Sequence, residues 1–248
     1  VIAASWLYSS PMRLPDIFDA VVDGVRNMVT TALLLVAVGI VINVVTTTGV
    51  GNAFSLMIVE WAQRSLLITL ILVALASLVL GMGLPATAAY IVLAVMTGPA
   101  LQELGLALIT AHMIIFWLAQ SSNVTPPIAL AAFAGAGVAG AAPMASAVEA
   151  VKLASGLFVI PLMMAFSPLL LGAEFGWSGV LIAAVVTGLL MLMLVMVLQQ
   201  FLFASVSFLN RAMALLAAAF LVYPSIPSRL VGGVLALALM VVNRRDAV

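Results

Sequence analysis

Residues 106–140 read LALITAHMIIFWLAQ, then SSNVTPP, then IALAAFAGAGVAG. The two flanking runs are apolar, and the break between them is Ser121-Ser122-Asn123-Val124-Thr125-Pro126-Pro127. A membrane-crossing helix needs roughly 20 apolar residues, which neither arm comfortably supplies. Two half-length helices meeting at a polar, proline-broken tip make a re-entrant hairpin. Lipid tolerates non-helical backbone only where it is buried in protein or lines a cavity. A tip rich in hydroxyls and amides at mid-membrane depth therefore points to a binding site.

The composition agrees with that reading. The chain is 66% hydrophobic and 6% charged, where a soluble domain carries about 25% charged residues. It reads as an all-α integral membrane protein, a polytopic helical bundle. Eight Lys+Arg balance eight Asp+Glu, so there is no basic face and no nucleic-acid partner. With no cysteine and one histidine, disulfides, thiolate chemistry and the usual transition-metal sites are excluded. No cofactor is expected. The chain starts at Val1 without a secretory signal pattern, and is expected to be part of a longer polypeptide.

Outward from the hairpin, a second break stands at Gly81-Met82-Gly83-Leu84-Pro85-Ala86-Thr87, inside the apolar stretch 65–99. Two glycines and a proline free backbone groups there, so 65–99 is a broken span. Residues 1–27 read as an interfacial or linker segment with Arg13, Asp16, Asp19, Asp23 and Arg26, and 28–50 as a span. A polar loop with Glu60, Gln63 and Arg64 precedes the broken span. After the hairpin come an amphipathic stretch, 143–154, and a short span, 156–172. Glu149 and Lys152 are spaced to pair on one helix face. The C-terminal membrane segment, 173–248, holds apolar runs at 178–203, 211–224 and 229–243. The last two are either a tight helical hairpin or two tilted helices. Placing Arg13, Arg26, Lys152, Arg211, Arg244 and Arg245 in the cytoplasm satisfies most of the positive charges.

The two breaks carry the chemistry. Half-helices present amide dipoles at one end and bare carbonyls at the other, suited to anionic groups and to sodium respectively. Thr87, Ser121, Ser122, Asn123 and Thr125 supply side-chain oxygens, and the carbonyls near Gly81, Gly83 and Val124 supplement them. Neither break holds a carboxylate, which argues against a carboxylate proton relay. The plain alternative is that each break is a packing kink. His112 lies about 13 Å of helix from the tip and reads as a histidine bonded to a neighbouring helix. Glu103 and Glu149 read as solvated, and Met191, Met193 and Met196 as lipid-facing or packing residues. The run Ala131 to Ala142 lets backbones approach closely. No nucleophile stands at a recognisable spacing from His112, so an enzyme is not expected.

The order LGMGLPATAAYIVLA (80–94), TGPALQELG (97–105), AHMIIFW (111–117), SSNVTPPIALAAFAGAGVAGAAPM (121–144) and EAVKLASGLFVIPLMMAFSPLLL (149–171) resembles the large membrane subunit of TRAP transporters, the DctM-like permeases. It is most similar to the fused permeases of the TAXI branch, in their C-terminal part. The resemblance implies a sodium-driven secondary transporter in a bacterial or archaeal inner membrane, built from inverted repeats and working as an elevator. It also implies a periplasmic substrate-binding protein, a small membrane subunit or its fused equivalent, and a small organic acid as substrate. One hairpin and one broken helix correspond to one half of that inverted-repeat fold, the second repeat, over 28–172.

By motif, Gly81, Gly83, Pro85, Thr87, Ser122, Asn123, Thr125 and Pro126 are then that repeat's share of the sodium and substrate site. Ala86 stands where many relatives have threonine, and Ser122-Asn123 where many have a less polar pair. The residues alone leave other readings open: a symporter that needs no binding protein, coupled to sodium or protons, and a structural membrane subunit.

Overall fold

The computed structural model describes residues 13–170 and 172–245. The start of the 1–27 segment and the last residues of the C-terminal segment therefore lie outside the described residues. The chain divides into two units, Val1–Thr48 and Gly49–Val248.

Among its described residues the first unit holds one helix, α1 (Leu14–Thr48). Asp16 accepts the Arg13 backbone N–H at 2.8 Å at its start. The sequence suggests a boundary at residue 27, but the helix runs through it, because no proline falls between Pro15 and Thr48 to interrupt the backbone ladder. At the other end Thr46, Thr47 and Thr48 turn their hydroxyls back onto the carbonyls of Ile42, Asn43 and Val44. The helix runs intact to Thr48.

The second unit comprises α2 (Val50–Trp61), α3 (Leu66–Gly81), α4 (Ala86–Glu103), α5 (Leu108–Ser121), α6 (Leu130–Ala139), α7 (Pro143–Leu153), α8 (Gly156–Phe166), α9 (Gly172–Gln199), α10 (Phe208–Val222) and α11 (Ile226–Arg245). Every regular element among the described residues is a helix. Among the described residues, three unbroken stretches are long and apolar enough to cross a membrane: Pro143–Phe166, Gly176–Gln199 and Ile226–Arg245. Along α3, Leu67, Ile71, Leu75 and Val79 are all exposed. Their spacing of four puts them on one helix face, an apolar stripe suited to lipid.

The reading of a polar loop with Glu60, Gln63 and Arg64 is corrected at Glu60, which lies in a helix. VGNAFSLMIVEW forms α2, whose buried face is Gly51, Ser55, Ile58 and Val59. That spacing of four and three is helical, and it brings small residues against α4. Ser55 Oγ donates to the Met96 carbonyl at 2.6 Å. The turn falls later, at Gln63 and Arg64, both with positive φ.

Two apolar cores share one wall. The first gathers Leu70, Val73, Leu93, Leu101, Ile114, Ile115 and Met164 from α3, α4, α5 and α8. The second gathers Met163, Leu190, Met193, Met196, Ala217 and Leu221 from α8, α9 and α10, and extends to α11. Met163 and Met164 are neighbours about 100° apart around α8, so one side chain enters each core. Met193 and Met196 are fully buried, which makes them packing residues.

The C-terminal stretch 211–243 resolves as two packed helices, α10 and α11, joined through 223–225. Their closest approach is at Gly232. A Cβ there would meet Leu221 Cγ at 2.9 Å and the Ala217 carbonyl oxygen at 3.0 Å. In a bilayer, where burial against another helix gains little over burial in lipid, close packing at such small residues drives association. Arg229, near the start of α11, donates through Nη2 to the Phe166 carbonyl at 2.9 Å and to Ser167 Oγ at 2.7 Å. It thereby fastens the pair to the end of α8.

Candidate functional site

The first break is a tight turn. Met82 has φ −60 and ψ 120, and Gly83 has φ 78. The Leu84 N–H returns to the Gly81 carbonyl at 3.2 Å. These are the marks of a type II turn, whose third residue needs positive φ and hence glycine. Pro85 then sits at the N-cap of α4 with no side chain capping the first turn. The leading N–H groups of α4 thus keep the partial positive charge of a helix start. Gly83, Pro85 and Thr87 are exposed.

The second break begins where α5 ends at Ser121. The Ser121 carbonyl accepts three donors: Val124 N–H at 3.2 Å, Thr125 N–H at 3.1 Å and Thr125 Oγ1 at 2.6 Å. The Asn123 carbonyl accepts the Ala131 N–H at 3.0 Å, tying the tip to the start of α6. The Pro126–Pro127 peptide is cis. Ser121 and Ser122 are buried, while Asn123, Thr125 and Pro126 are half-buried.

The two breaks meet at one point. A Cβ built on Gly81 would lie 2.8 Å from Ser122 Oγ and 3.0 Å from Ser122 Cβ, with Ala89 Cβ at 3.7 Å. Gly81 is the last residue of α3, and Ser122 is the C-cap of α5. Glycine is required here for close approach rather than for backbone freedom. Of the residues singled out from sequence, Gly81 and Ser122 are in direct contact. A Cβ on Gly83 would meet nothing within 4 Å, so that turn residue stands clear of the tip.

The hydroxyls are oriented in a common way. Ser121 Oγ donates to the Leu118 carbonyl at 2.6 Å and Ser122 Oγ to the Ala119 carbonyl at 3.0 Å. With Thr125 Oγ1 on the Ser121 carbonyl, all three protons are spent on backbone acceptors. Each oxygen keeps its lone pairs. A cation needs oxygens of that kind, whereas an anion needs donors. The Ser121 carbonyl is crowded by its three donors. Among the described residues no N–H donates to the carbonyls of Ser122 or Val124. The Asn123 side chain likewise has no protein partner among the described residues.

The two helices of 106–140, expected to pair as a hairpin, differ in their neighbours. α5 packs against α3, α4 and α8, whereas α6 packs chiefly on α7. α6 is built of alanine and glycine with Val138 exposed, and small residues let it lie close to α7. The expected pair between Lys152 and Glu149 forms at 2.6 Å on α7.

His112 is bonded across helices: its Nδ1 lies 3.0 Å from Tyr90 Oη. Tyr90 also meets Phe116 edge-on, with ring centroids 5.9 Å apart. Tyr90 was not singled out from sequence. The one available signal is its place one turn after Thr87 on α4. No group of three or more His, Cys, Asp or Glu side chains gathers among the described residues.

A cavity of about 370 Å³ lies between α3, α5 and α8, lined by Leu70, Ala74, Leu118, Phe158 and Pro161 among others. Its walls are apolar. It can take a hydrocarbon chain but offers nothing to a carboxylate.

No curated relative and no solved structure matches the chain. The family model described as the tripartite ATP-independent periplasmic transporter, DctM component, matches residues 1–177, which include both breaks and their point of contact. That family transports and does not catalyse a chemical conversion. With its multi-pass helical architecture, the chain belongs to the DctM family, the membrane permease component of TRAP transporters.

Proposed function

We propose that this chain contributes one half of the ion and substrate site of a sodium-driven importer of small organic acids. The observation that carries the reading is the contact of Gly81 with Ser122, which joins the two broken segments. Sodium is a hard cation that takes several oxygens at one point. Ser122 Oγ, Thr125 Oγ1, the Asn123 amide oxygen and the carbonyls of Ser122 and Val124 are the ligand set. The substrate carboxylate is assigned to the uncapped start of α4, near Thr87, where N–H groups and the helix dipole favour negative charge. Gly83 and Pro85 shape that start, and Pro126 holds the tip turned.

The remaining parts of the proposal extend the family reading beyond what the match covers. A soluble periplasmic protein, of the TAXI type, delivers the acid, and a small membrane subunit or fused equivalent completes the permease. The half-site pairs with a counterpart repeat, and the site crosses the membrane by an elevator motion in the inner membrane of a bacterium or archaeon. The absence of a carboxylate from 81–87 and 121–127 favours sodium over protons.

The test is uptake into liposomes by the assembled transporter under an inward sodium gradient, with and without its binding protein. Uptake that needs both supports the reading. Uptake that needs sodium alone makes this a direct symporter. Uptake indifferent to sodium returns both breaks to packing.

A further inference from the structure

The last three helices, which lie mostly beyond the matched residues 1–177, are gathered at one end by a buried asparagine. Asn243 on α11 is fully buried. Its Oδ1 accepts the N–H of Phe203 at 2.9 Å and of Ala204 at 3.2 Å, and its Nδ2 donates to the Ala204 carbonyl at 3.2 Å. Those residues belong to the loop between α9 and α10, which Val206 N–H closes onto the Gln200 carbonyl at 2.8 Å. This clamp puts the end of α9, the start of α10 and the end of α11 together. Gln199, Arg211, Arg244 and Arg245 share that end.

Two donors there are buried without an acceptor: Gln199 Nε2 and Arg211 Nε. Buried donors are nearly always paired, so two unpaired ones at one end call for a missing acceptor. Among the described residues no carboxylate pairs with these cations. The ion pairs among the described residues are Arg26–Asp23 and Lys152–Glu149, at other places in the chain. Asp246 follows in sequence, outside the described residues.

Beside these cations, Phe201, Phe203 and Phe208 are 55%, 46% and 84% exposed. Three bare phenylalanines in water are unfavourable, and a site for a free phosphate has no use for them. At the boundary between acyl chains and headgroups, the aromatic rings and the guanidinium groups are both satisfied.

We propose that this end of the C-terminal bundle binds the phosphate of an anionic lipid. Gln199 Nε2 and Arg211 Nε supply the buried donors. Arg244 and Arg245 supply charge from the exposed side, and the phenylalanines sit among the first acyl carbons. The site would fix the depth of α9–α11 in the bilayer.

The experiment is native mass spectrometry of the full chain in detergent, titrated with phosphatidylglycerol, with phosphatidylcholine, and with inorganic phosphate. Retention of phosphatidylglycerol over phosphatidylcholine is expected. Arg244→Gln with Arg245→Gln removes two exposed charges and should weaken that retention about thirtyfold, the effect of two surface cations. Arg244→Lys with Arg245→Lys keeps the charge and should keep the lipid, and Arg64→Gln, in a different loop, should change nothing. Equal binding of both lipids, unaltered binding by the double glutamine variant, or an equal loss in Arg64→Gln would overturn the proposal. Displacement of the lipid by millimolar inorganic phosphate would also overturn it, in favour of a free-phosphate site.

Discussion

Gly81 and Ser122 touch, although they end different helices and lie on either side of α4 in sequence. A methyl at position 81 would stand 2.8 Å from Ser122 Oγ, inside any real contact distance. Gly81→Ala should therefore destabilise by about 1–3 kcal/mol, the usual range for overpacking. Ser122→Gly in that background should restore most of the loss. A double-mutant cycle followed by thermal unfolding in detergent checks it: additive effects would mean the two positions do not share space.

Gly83 answers to backbone rather than to space. Its φ of 78 is left-handed and nothing lies within 4 Å of a Cβ there. Gly83→Ala should cost about 1–2 kcal/mol from the left-handed conformation alone. Gly83→Asn should cost less, since asparagine tolerates that region. Equal unfolding temperatures for the two variants would sink the turn assignment.

Thr125→Ala and Ser122→Ala each remove an oxygen whose proton is already committed to a carbonyl. Both should raise the sodium concentration for half-maximal transport with little change in unfolding temperature. The assay is uptake as a function of external sodium in the assembled transporter. Unaltered sodium dependence in both variants would remove the tip from the ion site.

Tyr90→Phe deletes the hydroxyl that bonds His112 and leaves the ring against Phe116. A loss of about 0.5–1.5 kcal/mol is expected, that of one hydrogen bond. A tyrosine hydroxyl both donates and accepts, so it can bond either tautomer by rotating. The role is structural, and the sodium dependence of uptake should stay as it was. A shift in that dependence would move His112 into the mechanism.

Arg229→Ala leaves the Phe166 carbonyl and Ser167 Oγ without their donor. Hydrogen bonds from a charged group are worth about 1.5–3 kcal/mol each, and the cation also suits the C-terminal end of α8. Loosening of α10 and α11 from α8 should appear as faster hydrogen exchange in the last turn of α8. Arg229→Lys should recover part of the protection, because an ammonium cannot reproduce the guanidinium's planar fork. Exchange unaffected by Arg229→Ala would show that packing at Met163 alone holds the joint.

The breaks were legible in the sequence because they are local chemistry. Gly83 and Pro85 dictate a turn whatever surrounds them, and Ser121 to Pro127 divide an apolar run into two arms, each short of a membrane crossing. α2 was less legible: its buried face is made of Gly51 and Ser55 as much as of Ile58 and Val59, so a helix packed through small residues read as a polar loop. Tyr90 carried only its place one turn after Thr87, since its partner stands on another helix.

The sequence by itself determined the membrane class, the two interruptions and the hydroxyls at the tip, because hydropathy and backbone preference act over a few residues. Tertiary structure alone decided that Gly81 meets Ser122, that α6 leaves α5 for α7, and that Arg229 fastens the C-terminal pair to α8. These are contacts between residues far apart in the chain. Which helix faces which follows from how small residues allow backbones to approach, and from where a buried donor finds its acceptor.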